Sequence, residues 1–168
     1  MGPNTSEGGD TQQVLDAIRR IVQSLRESSR RAEGRVGLSG AQLFVLQRLA
    51  QEPALSVNEL AARTHTHQSS VSVVVARLVR EGLVRRAPSD RDGRRVELSV
   101  TAKGRRAATG SPDVAQARLV LAIARLTPPR RRELAASLGE VAHSIAGSEG
   151  APAMFFEERR PARRRPRA

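Results

Sequence analysis

The chain has 168 residues, and with 29 Lys+Arg against 17 Asp+Glu it carries a net charge of +12, nearly all of the positive side being arginine. Hydrophobic residues make up 39% and aromatic residues only 2%, so the core is built from Leu, Val, Ile and Ala, and stacking platforms for single-stranded nucleic acid or RNA are disfavoured. The absence of cysteine excludes disulfides, thiolate metal sites and thiol-based redox sensing.

The charge is not confined to one end. Residues 157–168 hold six Arg and two Glu, and residues 1–10 hold two acids, which leaves +10 on residues 11–156. A basic body of this kind suits a polyanion, and the lack of aromatics points to double-stranded nucleic acid. No apolar run reaches the length of a membrane span and no signal pattern opens the chain, so a cytoplasmic protein with no membrane partner is expected.

In chain order, residues 1–10 are polar and Gly/Pro/Ser-rich, as in a disordered segment. Val14, Leu15, Ile18, Ile21, Val22 and Leu25 then recur at helical spacing, which predicts an amphipathic helix fraying near Ser28 and Ser29. That apolar face has no evident partner in the compact region C-terminal to it, as in a helix serving a subunit interface. Ser39-Gly-Ala-Gln42 is a capping box opening a helix with Leu43, Phe44, Leu46 and Leu49. A second box, Ser56-Val-Asn-Glu59, opens a short helix, and a turn around residues 64–67 leads to a Val-rich helix over about 68–81 stopped by Gly82.

Residues 83–87 and 95–100 alternate as strands around the tip Pro88-Ser-Asp-Arg-Asp-Gly-Arg94. Thr101 starts another helix, residues 109–112 interrupt it, and residues 114–126 resume it. Thr127-Pro128 opens a last helix with Leu134, Leu138, Val141 and Ile145. An apolar island, Met154-Phe-Phe156, precedes the Pro/Arg tail. The expected fold class is mainly α with a small β-wing, a winged helix-turn-helix flanked by N- and C-terminal dimerisation helices. The expected divisions are 1–10 disordered, 11–34 a dimerisation helix, 35–104 the winged domain, 105–147 dimerisation helices and 148–168 a disordered tail.

A helix whose N-terminal end enters a major groove reads bases with its first side chains, here His67, Gln68, Ser69, Ser70 and Ser72, with Arg77 a turn further on. Ordinary capping also explains a Ser/Gln-rich start. The hairpin adds Arg91, Arg94 and Arg95, suited to a minor groove or to phosphates, with Asp92 placed to orient the tip.

Residues 39–104 resemble the winged helix of the MarR family of bacterial regulators, through SVNELA, QSSVSVVVARLVREGLV, the Asp92-Gly-Arg94 tip and the strand ending LSVTAKG. With the helical arms, the resemblance spans residues 11–146. It implies a homodimer with interlocked arms, recognition helices in successive major grooves of a pseudo-palindromic operator, and Arg94 in the minor groove, with half-sites about 34–36 Å apart. It further implies a repressor relieved by a small, often phenolic, anion. Leu15, Ile18 and Phe44 are candidate linings for that ligand, although plain core packing is the commoner role of such residues.

No cofactor or metal is expected. His65 and His67 form an H-x-H with no nearby carboxylate or thiolate, and DNA contact or capping suits them better. Phosphate-loop and catalytic His–carboxylate patterns are absent, so an enzyme is not indicated. The alternative is a nucleoid-type protein that coats DNA with little sequence preference.

Overall fold

The computed structural model describes residues 5–52, 55–89, 95–111, 114–146 and 151–157. In order these form α1 (Thr5–Val36), α2 (Gly40–Gln51), α3 (Val57–Thr64), α4 (Gln68–Arg80), β1 (Val84–Pro88), β2 (Val96–Val100), α5 (Ala102–Thr109), α6 (Ala115–Ala124) and α7 (Pro128–Ala146). The mainly α architecture with one small sheet agrees with the expectation.

Both capping boxes form. Ser39 and Gln42 exchange side-chain-to-backbone bonds at the start of α2, and Ser56 and Glu59 do the same at the start of α3. Each satisfies two otherwise orphaned amides of a first turn. Helix α4 is a helix despite its five valines, because Val71, Val74, Val75 and Leu78 fall on one buried face. Gly82, at φ +70, ends it in the left-handed region, where glycine carries no Cβ penalty.

The strands pair antiparallel, with Val84 opposite Val100 and Pro88 opposite Val96. Leu55 adds a bridge on the far side of β2, the Leu98 amide donating to its carbonyl at 2.8 Å. The sheet is therefore fastened to the chain just ahead of α3. Helix α2 forms the centre of the core, packing on α1, α3, α4, α5 and β2. Leu43, Phe44, Leu46 and Leu49 are fully enclosed there by Leu60, Val71, Val74, Val75, Leu78 and Leu98.

Gly104 explains the TAKG sequence. A Cβ at this position would stand 2.1 Å from the Leu83 carbonyl oxygen, so only glycine lets α5 lie this close to the start of β1. Thr101 secures the same junction, its hydroxyl donating to the Gly82 carbonyl at 2.8 Å and accepting from the Gly104 amide at 3.1 Å.

Three expectations need correction. Helix α1 begins at Thr5, inside the stretch 1–10 expected to be disordered. Helix α1 does not fray at Ser28 and Ser29 but continues to Val36. The two hydroxyls are fastenings: Ser28 accepts from the Ala115 amide at 2.9 Å and Ser29 from the Gly40 amide at 3.0 Å. Small polar residues in mid-sequence read as a weak point when their distant partners are unknown. Residues 151–157 do not share in a disordered tail either, since Met154 is only 4% exposed and belongs to the main core.

The arms remain open. Helix α7 buries none of its residues, and Leu134, Leu138, Val141 and Ile145 stand exposed. Val14, Leu15 and Ile21 of α1 and Leu121 and Ile123 of α6 are exposed as well. No helix among the described residues is long and apolar enough to cross a membrane.

Candidate nucleic-acid interface

The packing of α4 decides which of its side chains face outward. With Ser70, Val71, Val74, Val75 and Leu78 against the core, the opposite stripe comprises Ser69, Ser72, Val73, Ala76 and Arg80, with Gln68 exposed at its head. Their spacing of three and four residues keeps them on one line, which a major groove can accept. Gln68, Ser69 and Ser72 thus stand together as expected. Arg77 sits at the edge of the stripe, half-buried and with a partner of its own.

Ser70 departs from the expectation. It is buried, and its hydroxyl donates to the Pro152 carbonyl at 2.9 Å, which turns it away from the outward stripe. His67 is the N-cap residue and exposed, but its side chain makes no capping bond. His65 closes α3 at φ 51, so the turn between the helices is a left-handed cap followed by two residues. Among the described residues no three His, Asp or Glu gather as a metal-binding group.

Three outward residues escaped the sequence reading: Val73, Ala76 and Arg80. Val73 is 47% exposed amid polar neighbours, an apolar contact of the type that meets a thymine methyl group. The signal was available, since these positions complement the inward spacing 71, 74, 75 and 78. Four consecutive apolar residues, Val73 to Ala76, concealed it.

On the hairpin, Arg91, Asp92 and Arg94 lie outside the described residues. Arg95 is described, and it does not point freely to solvent: its guanidinium donates to Glu59 Oε1 at 2.9 Å. The other carboxylate oxygen of Glu59 accepts from the Ser56 amide at 2.8 Å and from the Ser56 hydroxyl at 2.6 Å. These Ser56 bonds first, and Arg95 after them, lower the Glu59 pKa to about 2. Arg95 thereby ties the foot of the wing to the first turn of α3. Arg85, also exposed, donates to the Ser99 hydroxyl at 2.9 Å across the strand pair.

The ligand-lining candidates do not meet. Phe44 is 1% exposed in the core under the Arg48 guanidinium, 5.8 Å from the ring centre, while Leu15 and Ile18 lie on the outer half of α1. A different cavity, of about 510 Å³, opens between α1 and the start of α6. Ser28, Arg31, Ala32, Arg35, Leu43, Ser111, Val114 and Arg118 surround it. The Ser111 hydroxyl is buried there without a hydrogen-bond partner.

This arrangement can be set beside known proteins. Residues 36–95 match the family model described as MarR family. The HTH-type transcriptional repressor Rv2887 of Mycobacterium tuberculosis is 32% identical over 114 residues, covering 68% of this chain and 82% of that protein. The chain belongs to the MarR family. Members of this family are DNA-binding transcription regulators and not enzymes. The MarR assignment is also consistent with the HTH-type transcriptional repressor MdtR of Bacillus subtilis, 30% identical over 88 residues, or 52% of this chain and 57% of that one. Among solved structures, the transcriptional regulator BldR from Sulfolobus solfataricus superimposes with a TM-score of 0.52 at 26% identity, covering 81% of this chain and 96% of its own.

Proposed function

We propose that this MarR-family chain is a homodimeric, sequence-specific repressor of double-stranded DNA whose binding is relieved by a small aromatic anion. The observation that carries this reading is the outward stripe of α4. Polar Gln68, Ser69 and Ser72, apolar Val73 and cationic Arg80 together offer the mixed donor, methyl and phosphate contacts that base readout uses. A coating protein needs only cations at such a surface. Arg94 at the wing tip is assigned to the minor groove, and Arg91 to the flanking phosphates.

The dimer reading is supported by two apolar stripes of the same spacing. Val14, Ile18 and Ile21 on α1, with Leu25 already buried within the protomer, repeat the four-three-four pattern of Leu134, Leu138, Val141 and Ile145 on α7. Ile145 is 82% exposed in the protomer, and a row of this kind is covered when two copies interlock. A two-fold dimer then sets its recognition helices against the half-sites of a pseudo-palindrome.

The effector reading is supported by the cavity between α1 and α6. Its volume lies in the range of small-molecule sites, its floor is apolar through Ala32, Leu43 and Val114, and Arg31, Arg35 and Arg118 supply positive charge at its rim. Arg31 is held to its own helix, its Nε donating to the Glu27 carbonyl at 3.3 Å and its guanidinium lying 3.6 Å from the Glu27 carboxylate.

Competition binding tests the central claim. The protein should hold a duplex selected from its source genome against a large excess of random duplex, with a preference of about a thousandfold or more. A ratio near one would identify a coating protein instead.

A further inference from the structure

Helices α2, α3 and α5 are each capped by a hydroxyl from their own sequence, Ser39, Ser56 and Thr101. Helix α4 is not, since His67 stands at its N-cap position without a side-chain capping bond. An uncapped first turn frays more readily. In α4 that turn carries Gln68 and Ser69, at the head of the outward stripe.

A distant segment reaches this turn instead. Pro152, eighty-two positions on, accepts the Ser70 hydroxyl at 2.9 Å. Within residues 151–157 Met154 alone is buried, and it shares one apolar core with Val71, Val74 and Val75 of α4 and Ala32 of α1. An unbranched, adaptable side chain suits a gap between elements of different geometry. The chain then turns back: the Glu157 amide donates to the Met154 carbonyl at 3.1 Å, and Phe156 adopts φ 57. A left-handed phenylalanine is unfavourable in a free chain, so its surroundings impose this turn.

The far side of the segment faces α1. Phe156 and Glu157 line a shallow recess with Arg26, Ser29, Arg30 and Glu33. That wall is itself fixed, because Ser29 accepts from the Gly40 amide at 3.0 Å and donates to the Glu33 carboxylate at 3.1 Å. The segment therefore meets the weakly fastened start of α4 at one end and a firm part of α1 at the other.

We propose that residues 151–157 form a strap, anchored by Met154, that holds the first turn of α4 in register with α1. Met154 is thereby a positioning residue for base readout, acting through Gln68 and Ser69 without touching DNA. The Ser70 bond satisfies a buried hydroxyl, whereas the anchor is the apolar burial of Met154. The positioning role rests on the DNA-reading assignment of the α4 stripe; the strap itself does not.

The test uses Met154→Ala, Met154→Leu and Ser70→Ala in the full chain. Amide exchange is followed by NMR at Val71, whose amide closes the first turn on the His67 carbonyl at 3.1 Å, and at Leu46 in α2 as a reference. Anisotropy gives the preference for the selected over the random duplex. Met154→Ala should speed Val71 exchange about tenfold relative to Leu46 and lower the duplex preference about tenfold, while still melting cooperatively. Met154→Leu should restore both values, and Ser70→Ala, with Met154 still seated, should keep the preference. Parental exchange at Val71 in Met154→Ala would overturn the strap, as would equal acceleration at Val71 and Leu46, which marks general loss of stability. Faster Val71 exchange with an unchanged preference would overturn the positioning role. A parent protein with no duplex preference would sink the reading of α4, and the exchange comparison would still decide the strap.

Discussion

A hydrogen bond of 2.9 Å from Arg95 to Glu59 ties the wing to the helix-turn-helix. The two residues are thirty-six positions apart, Arg95 just ahead of β2 and Glu59 in the first turn of α3. Glu59 also closes its capping box, so one carboxylate both starts α3 and holds the foot of the hairpin. The Glu59 pKa is depressed to about 2, below its ordinary value of 4.5. A depressed acid stabilises the fold fully above its unfolded pKa and loses that contribution as pH falls toward the folded value. Glu59→Gln should therefore melt lower than the parent at pH 7, and the gap should narrow from about pH 4.5 downward. Thermal unfolding of both proteins across this range checks it, and a gap independent of pH would refute the linkage.

Gly104→Ala should destabilise the fold by about 1–3 kcal/mol, because the added methyl group meets a backbone carbonyl that cannot move without opening the α5–β1 junction. Urea denaturation provides the measurement. A variant as stable as the parent would show that the junction is looser than its geometry implies.

On the DNA face, Gln68→Ala should cost about 1–3 kcal/mol against the selected duplex while leaving random-duplex binding nearly unchanged. Arg94→Ala should lower the salt slope by about one unit on either duplex if it meets backbone charge. Ser70→Ala tests the difference between a buried and an outward serine. It should leave base preference intact, and a changed preference would contradict the placement of its hydroxyl on Pro152.

Ile145→Glu places a charge in the apolar row of α7 without touching the winged body, since α7 buries nothing there. Sedimentation should report a monomer with native helicity, together with loss of specific binding. Persistence of the dimer would move the interface elsewhere.

For the effector, benzoate should release the selected duplex from the parent protein, and Arg118→Ala should raise the concentration required about tenfold. Release that is insensitive to Arg118 would place the anion outside the α1–α6 cavity.

The local grammar of the winged domain was legible because each signal acts within a few residues. Ser39 with Gln42, Ser56 with Glu59, and Gly82 after Arg80 all take the roles their spacing suggests. Relationships between distant segments were not legible. Ser28 and Ser29 resembled a fraying end because their partners, Ala115 and Gly40, lie in other helices. Ser70 resembled a base-reading residue because Pro152 is eighty-two positions away. Phe44 was a plausible ligand lining for a related reason: an aromatic residue carries the same pattern whether it faces a core or a cavity. The cavity takes Ser28, Arg31, Ala32 and Arg35 from one face of α1, but its other wall, Leu43, Val114 and Arg118, comes from distant segments that no local spacing joins to that face.

The uninterrupted length of α1 gives the two serine fastenings a mechanical meaning. At about 1.5 Å per residue the helix is roughly 48 Å long, and about three quarters of it projects beyond Ser29. A tilt of only about 5° at that fulcrum would swing the far end by about 3 Å. On the proposed effector reading, a ligand against Arg31 and Arg35 would push the short end of this lever, beyond the two serines, and an ångström there would become several at the apolar row proposed to meet a second protomer. In the proposed dimer, such a pivot would change the spacing between the paired recognition helices without any unfolding.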